Sequence, residues 1–399
     1  MSSANPIFVL SSARSGSTLT RFILDTHPEI YSPSELELGK VARGLCATIG
    51  LLEGATEQPL ENPPALERTR AILADLLDSY TRARGKTIWC EKSPSNVYTW
   101  ELLAAVFPGA RFLCLHRHAL DVTSSLIETF RFGFPPGLRD WARRFAGDNI
   151  QAGLRYWVDS TGHVVECEKR LPERSFRLRY EDIVAAPAEA LAPAFRFLGL
   201  DWDPALLGSV FSSQHDRGGG DPYVFFSERI RQDSVGCGRS LPLEGLPGDL
   251  LRRLGELYAE LGYPEKPARL EPAASAVAVA PAPAGPAADP QTRWVFETLL
   301  PERAATAGVL PPAPFACDVT VRGQGGGTWA LEWDADGLRV APERRGFPTT
   351  IELAGEDLLA VVQGRANPMK IAQEGRIRVE GLESDGALLG LLRMMWAGP

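Results

Sequence analysis

Two stretches of this 399-residue sequence carry side chains suited to holding anions. The first is "SSARSGST" (11–18), directly after the apolar run "IFVL" (7–10). Glycine and small hydroxyl residues let the backbone curl until several N–H groups aim at one anion. A helix starting at Ser17 or Thr18 adds the positive end of its dipole. Arg14 is the only charge in this loop, and Ser15, Gly16, Ser17 and Thr18 complete the cradle. The second stretch is "FLCLHRHALDVTSSLIE" (112–128), with Arg117 closing a strand-like run and Ser125 further along the next helix. A guanidinium plus a hydroxyl is what a second phosphate needs. Each stretch alone has a plainer reading, serines capping a helix or an arginine capping a strand. Both in one chain argue for a ligand with two anionic groups.

A nucleoside triphosphatase loop ends in Gly-Lys-Ser/Thr and works with Mg²⁺. Here the lysine is missing. A transferred sulfuryl group carries less charge than a phosphoryl group, so one basic side chain and backbone dipoles can serve it without metal. Cys46, Cys90, Cys114, Cys167, Cys237 and Cys317 are scattered, with no CxxC pair and no histidine at ligand spacing. No metal site is expected, and most of the cysteines sit in apolar runs and read as reduced core residues. Lys92, in "EKSP", sits where a strand ends and is a candidate to contact the transferred group or its acceptor. Trp89, Tyr98, Phe130, Phe132 and Phe134 are candidates to wall an apolar acceptor, although packing accounts for most such aromatics.

These residues need a frame. Strand-like runs followed by amphipathic helices recur: "IFVL" with "STLTRFILDT", "TIWCEK" with "NVYTWELLAAVF", "ARFLCLHR" with "ALDVTSSLIETF", and "SFRLRYEDIV" with "PAEALAPAFRFLGL". Such alternation predicts an α/β fold, a parallel sheet flanked by helices, with ligands at the carboxyl ends of the strands. A helix from Trp141 to Glu168, preceded by "FRFGFPP", is expected as a lid or substrate wall.

The order of "SARSGSTL", "EKSP", "FPGARFLCLHRHALDVTSS", "RYEDIVAAP", "FLGL" and "IRQDSVGCGRSLP" resembles the sulfotransferases that use 3′-phosphoadenosine-5′-phosphosulfate, over roughly residues 5–263. The resemblance implies a P-loop-type sheet and that phosphosulfate as co-substrate. Arg14 to Thr18 would hold the 5′-phosphosulfate, and Arg117 and Ser125 the 3′-phosphate. Ser234 to Arg239 falls where the family closes a loop over the nucleotide, so Ser234, Gly236, Gly238 and Arg239 are expected to face it. Arg14 is the expected charge stabiliser. Glu35, in "YSPSELELG", lies near where bacterial relatives carry a glutamate base, with Glu37 or a histidine as alternatives. Two departures stand out: many members have lysine at position 14, and many have Asp-Pro where this chain has His118-Ala119.

Composition shifts at 264–290, "PEKPARLEPAASAVAVAPAPAGPAADP", an Ala/Pro-rich stretch that cannot bury a core and is expected as a linker between a 1–263 domain and a 291–399 domain. In the latter, "EDLLAVVQGRANPMKIAQEGRIRVEG" resembles the sterol-carrier-protein-2-like domains. That resemblance implies a smaller α+β unit around a lipid tunnel, serving binding or assembly. The expected activity is sulfuryl transfer to a hydroxyl of a hydrophobic small molecule or acyl intermediate, free or carrier-bound. Alternatives are a kinase-like phosphotransferase and a non-catalytic lipid-binding scaffold with a relict nucleotide fold. A net charge of −8 excludes a general nucleic-acid or membrane-surface binder and leaves a homo-oligomer open. Without a leader-like or membrane-length apolar segment, the expected location is cytoplasmic.

Overall fold

The computed structural model describes residues 5–54, 59–129, 137–145, 147–216, 224, 229–267, 290–301, 304, 314–323, 326–334, 337–362, 368, 371 and 374–381. The chain divides into two compact units, Met1–Gly220 with Arg229–Ala273 and Ala274–Pro399 with Asp221–Glu228. Two sequence expectations fall outside the described residues: "FRFGFPP" with Phe130, Phe132 and Phe134, and most of the Ala/Pro-rich stretch.

In the first unit, β1 (Ile7–Leu10), β2 (Ile30–Tyr31), β3 (Ile88–Glu91), β4 (Arg111–His116) and β5 (Ser175–Arg179) form one sheet in the order β2-β3-β1-β4-β5. Every pairing is parallel, as continuous apolar strands joined by helical crossovers require. Helices α1 (Ser17–Thr26), α2 (Leu38–Leu52), α3 (Pro63–Ala83), α4 (Trp100–Val106), α5 (Ala119–Thr129), α6 (Leu138–Arg144), α7 (Asn149–Arg170), α8 (Tyr180–Ala185), α9 (Pro187–Leu198) and α10 (Gly248–Leu261) surround it. From β1 the chain crosses towards β2, and from β4 it crosses the other way to β5. The carboxyl ends of β1 and β4 therefore flank the switch point where open α/β sheets bind ligands.

The core beneath is aromatic. Phe8 of β1 meets Trp89 edge-on at 5.6 Å and stacks on Phe112 at 5.6 Å. Full burial of such rings stabilises by about 2–3 kcal/mol each. Trp89 belongs to this core, donating Nε1–H to Asp78 Oδ1 at 3.2 Å, and does not wall an acceptor site. The expected single helix over Trp141–Glu168 is two, α6 and α7. Gly147, at φ 92°, breaks it, and the Asp148 side chain caps α7 by accepting the Gln151 N–H at 2.8 Å.

The second unit contains α11 (Pro290–Trp294), a π-helical turn (Val295–Leu299), β6 (Phe315–Arg322), β7 (Gly327–Asp334), β8 (Gly337–Ala341), β9 (Thr349–Ala354), α12 (Gly355–Val362) and β10 (Ile377–Glu380). Its sheet runs β10-β9-β6-β7-β8, and among the described residues β6 and β9 pair in parallel while the other pairings are antiparallel. Phe296 stacks on Trp329 at 4.3 Å within its core. Buried Asp318 accepts the N–H groups of Arg345, Gly346 and Phe347 at 3.0, 2.8 and 3.0 Å, pinning the turn that leads into β9. This is the expected α+β unit.

Candidate functional site

The loop after β1 cannot be a relaxed turn. Arg14 and Gly16 both adopt left-handed backbone, at φ 67° and 86°. For arginine that conformation is strained by about 1–3 kcal/mol and must be held in place by its surroundings. At position 16 any β-carbon would lie 2.2 Å from the Tyr180 ring, so only glycine fits. Gly16 is the N-cap of α1, no side chain caps that helix, and no acid lies in its first turn. The serine-capped junction is therefore not what forms, and the positive end of the helix is left for an anion. Ser12 and Ser15 share a 2.7 Å hydroxyl contact, and the Ala13 N–H donates to the Tyr156 hydroxyl at 2.9 Å.

Arg117 follows β4 directly and is 5% exposed. Its Nη1 donates to the Arg14 carbonyl at 2.8 Å and its Nη2 to the Ser234 carbonyl at 2.6 Å. The guanidinium lies over the Tyr180 ring, 4.6 Å from its centre. Its Nε is buried and has no hydrogen-bond partner among the described residues. Burial opposes its charge, but Tyr180, Cys237, Asp121 and Glu181 outweigh that and hold its pKa above the ordinary value. Arg14 Nε in turn donates to Ser125 Oγ at 3.0 Å. Arg14, Arg117, Ser125 and Ser234 are thus gathered at one end of the sheet. The neighbouring residues Tyr156 and Trp157 of α7 brace both segments, Tyr156 through Ala13 and Trp157 by donating Nε1–H to the Arg117 carbonyl at 3.0 Å.

The late loop differs from expectation. Gly236 and Gly238 donate their N–H groups, each at 2.8 Å, to the two carboxylate oxygens of buried Asp121. These amides face a carboxylate, so they do not supply the anion-facing backbone expected of them. Ser234 does turn towards the site, its hydroxyl 2.7 Å from that of Tyr180. The Arg239 side chain is exposed and forms no ion pair among the described residues.

On the other side of β1, the segment after β3 grips the segment after β2 residue by residue. Glu91 Oε1 accepts the Leu36 N–H at 3.1 Å, Ser93 Oγ the Glu37 N–H at 2.9 Å, and Asn96 Oδ1 the Gly39 N–H at 3.0 Å. Lys92, 1% exposed, pairs with Glu35 Oε1. Burial lowers the Lys92 pKa, partly offset by Glu35. Burial likewise raises Glu91, against the bonds from Ser93, Leu36 and Asn96. Glu37 points away and pairs with exposed Lys40 at 2.7 Å, which leaves Glu35 as the carboxylate beside Lys92. Glu35 lies near enough to bear electrostatically on Tyr156, whose hydroxyl holds the Ala13 N–H, and on Arg21.

The histidines have other partners. His27 bonds the Asp201 carbonyl, His116 pairs with Glu168, and His215 lies between Asp25 and the Val210 carbonyl. His118 accepts the Leu120 N–H at Nδ1 and donates from Nε2 to the Pro264 carbonyl, and burial lowers its pKa. His163 packs edge-on against Tyr98. Among the described residues no three His, Cys, Asp or Glu side chains cluster as a metal site would require. A groove of about 790 Å³ is lined by Arg43, Tyr98, Trp100, Asp159 and His163 among others, and shares no residue with the loop, Arg117, Ser125, Lys92 or Glu35.

Asp121, Tyr156, Trp157, Tyr180 and Glu91 support the site, yet none stood out in the sequence. Only Asp121 gave a local signal, an acid within the otherwise apolar start "HALDV" of a buried helix.

Residues 6–204 match the model of the sulfotransferase family, and residues 312–384 that of the SCP-2 sterol transfer family. An uncharacterized protein of Aquifex aeolicus is 28% identical over 217 residues, which cover 51% of this chain and 27% of that protein. The nodulation protein NoeE of Sinorhizobium fredii is 26% identical over 219 residues, covering 51% of each. The chain thus spans between about a quarter and a half of the length of these relatives. Among solved structures, the sulfotransferase domain of the Synechococcus PCC 7002 olefin synthase is 25% identical with a TM-score of 0.46, covering 64% of this chain and 95% of that one.

Proposed function

Starting from a chain whose residues 6–204 belong to the sulfotransferase family and whose residues 312–384 form an SCP-2 domain, we propose that it moves a sulfuryl group from 3′-phosphoadenosine-5′-phosphosulfate to a hydroxyl of a hydrophobic small molecule or acyl intermediate. The observation that carries this reading is the convergence of Arg14, Arg117 and Ser125, linked through the Arg14 carbonyl and side chain. Two guanidiniums and an uncapped helix end at one switch point suit a ligand with two separated anionic groups. The unpartnered buried Nε of Arg117 and the glycine-only position 16 fit such a co-substrate.

In this reading the loop from Arg14 to Thr18 holds the 5′ side and Arg117 with Ser125 holds the 3′-phosphate. The co-substrate supplies an activated sulfuryl group. As its bond to the 5′-phosphate oxygen breaks, a new sulfur–oxygen bond forms to the acceptor. Arg14 stabilises charge on the departing oxygen. Glu35 takes the acceptor's hydroxyl proton, its Oε1 fixed by Lys92 while Oε2 has no partner among the described residues. The buried Lys92 positions that carboxylate and faces the transferred group. The domain limits proposed are 1–263 and 291–399, the second holding or delivering a lipid-like acceptor, and no metal ion is required.

Calorimetric titration of the full chain with adenosine 3′,5′-bisphosphate, without Mg²⁺, tests the reading. Binding is expected, and Arg117→Ala should weaken it by about a hundredfold or more, the loss of more than one charge-assisted hydrogen bond. Absence of binding by the unmodified protein would overturn it. Mg²⁺-dependent ATP binding instead would favour a phosphotransferase.

A further inference from the structure

Within the proposed nucleotide reading, on which this inference rests, we infer that Asp121 is a positioning residue. It sets the second anion site by latching the 234–239 loop onto α5, without touching the ligand itself.

Asp121 is fully buried near the start of α5, the helix that carries Ser125. A buried carboxylate would ordinarily be matched by a cationic side chain. Arg117 is near enough for Asp121 to favour its charge, but both Asp121 carboxylate oxygens are taken by backbone amides rather than by a cationic side chain. Its Oδ2 accepts the Gly236 N–H and its Oδ1 the Gly238 N–H, with the Cys237 thiol 3.7 Å from Oδ1. Alternate amides of one short loop thus close around a single carboxylate.

The loop must approach the helix closely for this to happen. A β-carbon at Gly238 would lie 2.1 Å from the Leu120 carbonyl oxygen, and Gly236 adopts φ 82°. The far end of the same loop is held by Arg117, which donates to the Ser234 carbonyl, and by Tyr180, which meets the Ser234 hydroxyl. Asp121 and Arg117 therefore fix two points of one loop from neighbouring positions on one segment. With the loop latched, the guanidinium is fixed between the Ser234 and Arg14 carbonyls, and its Nε is left buried without a partner. Releasing the latch frees the loop and with it the orientation of Arg117.

The test compares two ligands on the full chain. Adenosine 3′,5′-bisphosphate needs both anion sites, whereas adenosine 5′-monophosphate needs only the first loop. Asp121→Asn keeps the shape but presents an amide N–H₂ to one of the two glycine N–H groups. It should weaken the bisphosphate by about tenfold or more while the monophosphate changes less than about twofold. Gly238→Ala, which pushes the loop off the helix without altering the carboxylate, should give the same selective loss and decides the matter if Asp121→Asn does not fold. Equal weakening of both ligands, or of neither, would overturn the inference. Failure of the unmodified protein to bind the bisphosphate would instead overturn the functional reading beneath it.

Discussion

Arg14 Nε donates to Ser125 Oγ across 3.0 Å, joining the loop after β1 to the helix after β4. The two residues were expected at separate anion sites, one for each end of a nucleotide. Their contact makes those sites neighbours that share an arginine. Under the proposed reading the Ser125 hydroxyl has two duties, to orient the strained Arg14 and to meet a phosphate. Ser125→Ala should weaken adenosine 3′,5′-bisphosphate by about three- to tenfold, the worth of one hydrogen bond. Calorimetry on both proteins checks this, and an unchanged dissociation constant would remove Ser125 from the site.

Gly16→Ala should be costly for two independent reasons. The backbone is at φ 86° and the new methyl would meet the Tyr180 ring at 2.2 Å. A loss of about 1–3 kcal/mol is expected from the backbone alone, with more from displacing the ring. Since Tyr180 also lies under Arg117, nucleotide affinity should fall along with stability. Chemical denaturation and titration of the same variant measure both effects. A variant as stable as the parent would show that the loop can relax.

The strand-loop-helix turn at 7–18, the place of Arg117 at the end of a strand and the α/β alternation were legible because each rests on local chemistry: small residues where backbone must curl, apolar runs where strands are buried on both faces. The two-residue strand Ile30–Tyr31 was not, because two residues carry no periodicity. Nor was the grip of 91–96 on 35–39, whose bonds join side chains to backbone N–H groups distant in sequence. The misreading of Gly236 and Gly238 has the same origin. Glycine announces that a backbone N–H can be presented, but whether it meets a phosphate or Asp121 is decided by tertiary placement.

Acid should destabilise the first unit through Asp25. Burial would raise its pKa, but the His215 and Ser32 hydrogen bonds and the Lys86 charge more than offset this and hold it below the usual carboxylate value. A depressed folded-state pKa means the unfolded chain takes up the proton first. The stabilisation is present above about pH 4, the unfolded value, and is lost as pH falls through the lower folded value. Glu168, half-buried but held down by His116 and Arg177, acts in the same direction. Denaturation midpoints between pH 3 and 6 should drop steeply at the acid end and less steeply in Asp25→Asn. Identical slopes in parent and variant would place the acid lability elsewhere.

Glu35→Gln separates binding from chemistry. The amide keeps an oxygen for Lys92 but cannot accept an acceptor's proton, and the bond of Glu35 runs to Lys92 rather than to the anion-holding arginines. Affinity for adenosine 3′,5′-bisphosphate should therefore stay within about twofold. Transfer of labelled sulfuryl groups into extract metabolites should fall by about 10²- to 10⁴-fold, the usual worth of a positioned base. Lys92→Met removes the charge that holds Oε1 and leaves the carboxylate able to swing, so it should slow transfer while shifting its pH profile, which a purely structural lysine would not do. Full turnover by Glu35→Gln would retire this carboxylate as the base and return the question to the acceptor's own surroundings.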